Sequence, residues 1–356
     1  MICNEEKLLV NVLYKTESES LQGIDIINVN FENLMKLASN HLMLPALFFN
    51  INKKNLSHLF PVDFIECIKK VYLINKARNE VLLKEAKELS ELLYKDNINH
   101  IFLKGTALLL SNVFEDIGER MMCDIDFIIQ HKDEKKIKNL LEANNYYTNN
   151  DYSIVNLFRI NKPKHLPRQI NINKTIGIEP HLELLSPKSR YVFNSKNLIT
   201  DFEIEAKIIK TPNKSFLFDH CIYALQIEDR RILNSNHSHR SIYDIYKLDC
   251  KNSSIIKKIK KDVYIKHFFS TIDKFKIFKI NTVSSLSKSF IDQLFSFISI
   301  RSFKYLIIID NYLNKFSIII NLFFNNMLRE KALKKITKNY KNKTLLNYMY
   351  AWLKSY

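Results

Sequence analysis

From Phe31 to about Asn97 the apolar positions recur at helical spacing. Val81-Leu82-Leu83, Ala86, Leu89 and Leu92-Leu93 are set among Lys and Glu, with no Gly or Pro after Pro61, which predicts helices. The period changes at Ile98. Ile98 to Leu103 reads as a short buried strand, Lys104-Gly105-Thr106 as a junction, and Ala107 to Leu110 as a helix start. Met122 to Gln130 reads as a second strand with acids at alternate positions, and Asp133 to Asn144 as a charged amphipathic helix. Tyr146 to Leu185 is rich in β-formers and punctuated by Asn and Pro, with Ile176-Gly-Ile178-Glu179 its clearest strand. No proline follows Pro212, and the pattern is helical to the end, through Leu217–Ile227, Ile242–Leu248 and several apolar segments beyond Ser289. The expected fold class is α+β. An N-terminal helical region covers 1–95, a small mixed β-sheet core 96–205, and a larger all-helical C-terminal region 206–356.

Composition narrows the class. At 356 residues the chain can bury a sizeable core without staples, and 46% apolar with 26% charged residues excludes disorder, collagen and disulfide miniproteins. Its net charge of +17 is unevenly placed: residues 251–356 hold 21 basic and 5 acidic side chains, a net +16. Two explanations stay open. A basic, aromatic-bearing helical region binds nucleic acid or an anionic surface by neutralising phosphates. Alternatively, codon bias toward Lys, which supplies 44 of the 54 basic residues, produces the excess. The apolar stretch Tyr305 to Phe324 is broken by Asp310, Asn311, Asn314 and Lys315, so no transmembrane segment is expected. The first residues contain Glu5 and Glu6 and no basic region before an apolar run, so no secretory leader is expected either. Cys3, Cys67, Cys123, Cys221 and Cys250 lack any zinc or CxxC spacing, and fit free thiols in the cytoplasm.

Only four glycines are present, where average usage would give roughly 25. Neither GxGxxG nor GxxxxGK[ST] occurs, so Rossmann and P-loop nucleotide binding lose support. Three of the four, Gly105, Gly118 and Gly177, fall in the proposed sheet core.

The sharpest chemistry is Asp124-Ile-Asp126. In a strand, residues i and i+2 share a face about 7 Å apart. The following Phe127-Ile-Ile129 argues for a buried strand, where two carboxylates on one face need cations. Mg²⁺ suits them, because it prefers carboxylate oxygens and phosphate partners, and paired ions serve in-line displacement at phosphorus. Lys104 and Gly105 precede the pair at a strand-to-helix junction, where Gly permits close backbone approach and helix amides face a phosphate. A third carboxylate is available from Glu179 or Glu183, which share a face with His181 in a regular strand. Pro180 confines that strand to an edge or bulge.

Leu103-Lys-Gly-Thr106, Phe114 and Arg120-Met-Met-Cys-Asp124-Ile-Asp126-Phe-Ile-Ile129 together resemble the core signature of the uncharacterised nucleotidyltransferase family of the polymerase-β-like superfamily. Lys164-His165-Leu-Pro167 is similar to that family's His-Leu-Pro stretch, and Ile178-Glu179-Pro180-His181 to its acid-x-His strand. Arg240-Ser-Ile-Tyr-Asp244-Ile is similar to its Arg-x-x-x-Asp helix. The resemblance spans roughly residues 80–250. It implies a nucleotidyltransferase sheet core in which Asp124, Asp126 and Glu179 ligate metal, with Glu183 as the fallback acid. Lys104, Gly105 and Thr106 would face the nucleotide. Arg120 would contact phosphate or position the strand, the alternative being a pairing with Asp116 or Glu119. His181, Glu183, Arg240 and Asp244 are candidates for the substrate cleft, with His220 beside them.

The expected activity is metal-dependent transfer of a nucleoside monophosphate from an NTP, ATP by default, to an acceptor hydroxyl. Two Mg²⁺ ions are expected, with Mn²⁺ as the alternative. The acceptor (small molecule, protein or peptide, or RNA) is not encoded in any motif. The rival functions are an AMP-adding modifier or toxin acting on protein, and a non-catalytic nucleic-acid-binding protein using the basic C-terminal region. His237-Ser-His239 has no Cys or Asp partner at zinc spacing and reads as a loop. Glu228-Asp229 with Arg230-Arg231 reads as a solvated or salt-bridged helix end.

Overall fold

A computed structural model describes residues 2–20, 23–148, 164–186, 193, 198, 208–229, 237–248 and 252–278. All of them belong to one compact unit made of residues 1–149 and 164–297. The segments beyond Ser289, with Tyr305–Phe324 and most of the basic C-terminal charge, lie outside the described residues, as do Arg230, Arg231 and Cys250. Among the described residues, ten α-helices surround one mixed five-stranded sheet, an α+β fold.

Three short helices, α1 (Asn4–Tyr14), α2 (Phe31–Asn40) and α3 (Leu44–Lys53), precede the 34-residue α4 (Val62–Lys95). The buried stripe of α4 runs Phe64, Ile68, Tyr72, Asn75, Asn79, Leu82, Ala86, Leu89 and Leu93, at the three-and-four spacing of a helix face. Apolar members of this stripe belong to a core that is continuous from Leu8 to Phe275. The two asparagines serve as clamps. Asn75 donates to the carbonyls of Gly118 (2.8 Å) and Arg120 (3.0 Å), and Asn79 to those of Ile117 (2.6 Å) and Arg120 (2.8 Å). They satisfy the backbone of the turn leading into the second strand, which buried carbonyls require.

The strands are β1 (His100–Phe102), β2 (Asp124–Ile129), β3 (Tyr146–Thr148), β4 (Gln169–Asn171) and β5 (Gly177–His181), in spatial order β1-β2-β5-β4-β3. Only β2 and β5 are parallel; β1–β2, β5–β4 and β4–β3 are antiparallel. Between strands run α5 (Lys104–Leu110) and α6 (Glu134–Ala143). Beyond the sheet lie α7 (Lys214–Tyr223), continued by a π-helical turn Ala224–Glu228, then α8 (His239–Lys247), α9 (Asn252–Lys261) and α10 (Val263–Ile272). Their starts are written in the sequence as Asn213, Ser238 and Asp262, whose side chains cap α7, α8 and α10.

Pro180 corrects one expectation: β5 is an interior strand, not an edge. Pro180 pairs with Phe127 of β2 in register, but its carbonyl faces the other way and accepts from Leu166 N–H (2.8 Å). A residue's N and O point to the same side of a strand, so the donor it lacks also falls on that side. The group opposite the missing donor is Leu166 C=O, which accepts from the His165 Nδ1 side chain instead (2.8 Å), and the next ladder bond, Leu182 N–H to Lys164 C=O (2.8 Å), needs nothing from Pro180.

Candidate active site

The period of β2 separates its two faces. Ile125, Phe127 and Ile129 enter the main core, while Asp124, Asp126 and Ile128 take the opposite face. The parallel register places Asp126 beside Glu179, Asp124 beside Gly177 and Ile128 beside His181. Three carboxylates and an imidazole thus meet on adjacent strands, and single donor atoms of Asp126, Glu179 and His181 lie within 4.8 Å of one another. Glu85 of α4 fixes the entry to β5 by accepting from the backbone N–H of Thr175 (3.1 Å) and of Ile176 (3.3 Å).

Asp126 is buried and held by two partners on one oxygen. Lys104 Nζ donates to Oδ1 at 2.6 Å and His181 Nε2 donates to the same atom at 2.8 Å. Burial alone would raise its carboxyl, but these donors and the lysine charge hold it well below the usual carboxylate range. His181 is pushed down to about 4, chiefly by burial, so it is neutral at physiological pH. Its Nε2 carries the proton given to Asp126, and its Nδ1 has no hydrogen-bond partner among the described residues. Asp124 behaves in the opposite way. Burial and the nearby charges of Asp126 and Glu179 push its carboxyl up to about 6.

Two basic side chains answer this acidic face. Lys104 sits at the strand-to-helix junction with φ 48°, a left-handed turn that costs a non-glycine residue about 1 kcal/mol or more. Arg168 reaches Asp124 with Nε at 3.7 Å from Oδ2, lying over Gly177, where an added Cβ would stand 2.5 Å from that nitrogen. Gly177 therefore makes room for an arginine that sequence reasoning did not single out; the only signal was its place just after Lys164-His165-Leu-Pro167. Thr106 bridges junction and strand, accepting from Asp126 N–H (3.3 Å) and donating to the Asp124 carbonyl (3.4 Å).

Arg120 pairs with neither Asp116 nor Glu119. Its guanidinium forms a buried bidentate pair with Asp244 of α8, Nε to Oδ1 at 2.9 Å and Nη2 to Oδ2 at 2.8 Å. It packs under Gly105, where a Cβ would be 2.3 Å from Arg120 Nη1 and 2.3 Å from Met122 Sδ. The close approach that Gly105 permits is thus made by Arg120. Glu119 instead accepts from Tyr243 Oη (2.5 Å) and pairs with Lys247 (2.9 Å). Glu183 lies beyond β5 and accepts from His131 Nε2 (2.9 Å), outside the acidic group.

Beside the acidic face is a cavity of about 220 Å³ whose lining includes Lys104, Lys164, His220, Arg240 and Asp244. Burial lowers Lys164, Arg240 and His220, the last to about 3. Lys164 is paired with Glu228 at 3.3 Å on the π-helical turn, which also lines the cavity; π-helical turns are frequent at functional sites. Arg240 and Asp244 are therefore in the cleft together with Lys104, while His181 belongs to the acidic group.

The donor set fits a hard divalent cation. Convergent carboxylate oxygens are what Mg²⁺ prefers, and the Asp124 carboxyl is raised first by burial and then by the charges of Asp126 and Glu179, with Lys104 and Arg168 opposing. No described helix is long and apolar enough to cross a membrane. A family model described as an uncharacterised nucleotidyltransferase matches residues 28–255. No curated protein and no solved structure matches the chain.

Proposed function

The chain belongs to the uncharacterised nucleotidyltransferase family, and from that premise we propose that it transfers a nucleoside monophosphate from an NTP to an acceptor hydroxyl, releasing pyrophosphate. The observation that carries this reading is the register that brings Asp126 beside Glu179 with Asp124 on the same face of β2. Asp124, Asp126 and Glu179 would hold divalent cations, two Mg²⁺ ions by preference, which supply Lewis-acid stabilisation of the phosphoryl charge.

The protein's own groups divide the remaining work. Lys104, Lys164 and Arg240 line one cavity and present positive charge to the triphosphate of an NTP. His181, neutral and buried, donates to Asp126 Oδ1 and orients that carboxylate. The acceptor oxygen attacks the α-phosphorus in line, the bond to the bridging oxygen breaks with its electron pair, and pyrophosphate departs. Glu179 takes the acceptor's proton on its carboxylate. In this reading Arg120 is a positioning residue, because its fork is engaged by Asp244. The reading gives Glu183 no part in the chemistry.

The test is incubation of the full chain with each [α-³²P]NTP, Mg²⁺ and candidate acceptors, with pyrophosphate release measured in parallel. Label should pass to an acceptor only with a divalent cation and be lost in Asp126→Asn. Wild-type rates in that variant would overturn the proposal. Label on protein, on RNA or on a small molecule identifies the acceptor class.

A further inference from the structure

A second group of potential ligands lies where α1, the end of α2 and the start of α8 meet. His41 follows α2, His237 precedes the cap of α8, and His239 is the first residue of α8. One ring nitrogen from each lies within 4.8 Å of the others. The rings of His41 and His237 are stacked, with centroids 5.6 Å apart and planes 9° apart, and His239 stands edge-on to both, at 4.7 and 4.8 Å. Phe275 covers His237 and His239 from one side, at 4.8 and 5.3 Å. The His-Ser-His segment is therefore not the isolated loop its sequence suggests; its partners come from some two hundred residues earlier in the chain.

Glu6 of α1 completes the group. Its Oε1 accepts from Nε2 of His237 at 2.8 Å and from Nε2 of His239 at 3.2 Å. A carboxylate oxygen accepts, so both Nε2 atoms are the donors of these bonds, and in a neutral ring the lone pair is then left on Nδ1. His239 is fully buried, and its Nδ1 has no hydrogen-bond partner among the described residues. A buried nitrogen left unpaired costs about 1–3 kcal/mol. A ring whose one nitrogen is held by a carboxylate while the other offers a lone pair has the arrangement of a metal-ligating histidine.

We propose that His41, His237 and His239 form a cation site, separate from the carboxylate face, for Zn²⁺ or a divalent ion with the same preference for imidazole nitrogen, with Glu6 fixing the rings of His237 and His239 and the ion replacing the bond that His41 Nδ1 accepts from the His239 backbone N–H (3.3 Å). Three imidazoles suit zinc and its neighbours rather than Mg²⁺. Such an ion would tie α1 and the end of α2 to α8. The same helix α8 carries Asp244, the partner of Arg120, so the site would secure the helix that supports the Gly105 junction. The role is structural.

The full chain, stripped with a chelator and dialysed, is titrated with Zn²⁺ against a chromophoric zinc indicator. The expected result is one equivalent bound by Asp126→Asn/Glu179→Gln, whose carboxylate face has lost its ligands, and at least that equivalent by the wild type, with a rise in melting temperature in both. His41→Ala/His237→Ala, at two partly exposed rings, should lose that equivalent while keeping its circular dichroism. Should the double variant not fold, His41→Gln alone should weaken Zn²⁺ affinity at least tenfold. Glu6→Gln should weaken it about 10–100-fold. That equivalent of Zn²⁺ retained at wild-type affinity in the folded histidine variants, or no stoichiometric binding by the wild type, would overturn the proposal.

Discussion

Asp126 of β2 and Glu179 of β5 are register partners in the one parallel pair among the described strands. Side chains of such partners leave the same face, so the two carboxylates share one site without a turn or a bulge to align them. Glu183, two residues beyond the end of the strand, is taken by His131. Removing a cation ligand forfeits several kcal/mol of transition-state stabilisation. Asp126→Asn and Glu179→Gln should therefore each lower kcat by about a thousandfold or more, while Glu183→Gln stays within about twofold of wild type. Pyrophosphate release under saturating NTP checks all three. A dead Glu183→Gln beside an active Glu179→Gln would reassign the third carboxylate.

Asp124 predicts a stability effect with a definite sign. Its carboxyl is raised from 3.8 to about 6 in the folded protein, by burial first and then by Asp126 and Glu179. A raised carboxyl favours the protonated form, so its contribution to folding is fully present below about pH 4 and is lost as pH rises through about 6. Above that the metal-free protein carries a destabilising charge, worth about 1–3 kcal/mol once partial exposure is allowed for. Asp124→Asn should be more stable than wild type by this amount at pH 7.5 in chelator, and show little gain at pH 4. Urea titrations at the two pH values decide it. An equal difference at both would show that Asp124 does not titrate as described.

These effects rest on features of unequal visibility in the sequence. Asp124 and Asp126 were legible because alternation along Asp-Ile-Asp-Phe-Ile-Ile fixes which side chains share a face. The helices were legible from their spacing and from caps such as Asn213 and Asp262. Pro180 misled, because a proline's compatibility with an interior strand depends on which neighbour its nitrogen faces. Asn75, Asn79 and Glu85 are harder to read: a polar residue on a long charged helix looks solvated until a loop is packed against it. Two asparagines four apart within an apolar stripe were the available signal. The pairings of Arg120 with Asp244 and of His41 with His237 and His239 join segments more than a hundred residues apart, beyond any local pattern.

The pair of Arg120 and Asp244 is buried on both sides, with side chains 10% and 5% exposed. Losing one partner leaves an uncompensated charge in the interior, so Asp244→Ala should cost about 3–5 kcal/mol. Arg120→Met/Asp244→Leu should be less destabilised than that single variant, because no charge is stranded. Denaturant midpoints test the ordering, and additive losses would contradict the coupling.

Gly105 depends on the same pair. A Cβ there meets Arg120 Nη1 and Met122 Sδ at 2.3 Å, and Asp244 prevents the guanidinium from yielding. Gly105→Ala should destabilise by about 1–3 kcal/mol. In the Arg120→Met/Asp244→Leu background, with a flexible side chain in place of the pinned fork, the penalty should shrink. An undiminished penalty would mean that Met122, not Arg120, sets the limit at Gly105.

Lys164 offers the clearest separation of binding from chemistry. It lines the cavity with Lys104 and Arg240, is disfavoured in its charged form by burial, and has Glu228 as counter-charge at 3.3 Å. If an NTP's phosphates enter this cavity, the ammonium gains a charge-assisted hydrogen bond of about 1.5–3 kcal/mol. Lys164→Ala should then raise KM for the nucleotide about 10–100-fold while changing kcat much less, because the lysine stands outside the Asp126–Glu179–His181 group. Glu228→Gln frees the ammonium from its present partner and should lower KM in the same assay. A purely structural Lys164–Glu228 pair would make both variants less stable and leave KM unchanged, so melting temperature and KM measured together distinguish the two roles.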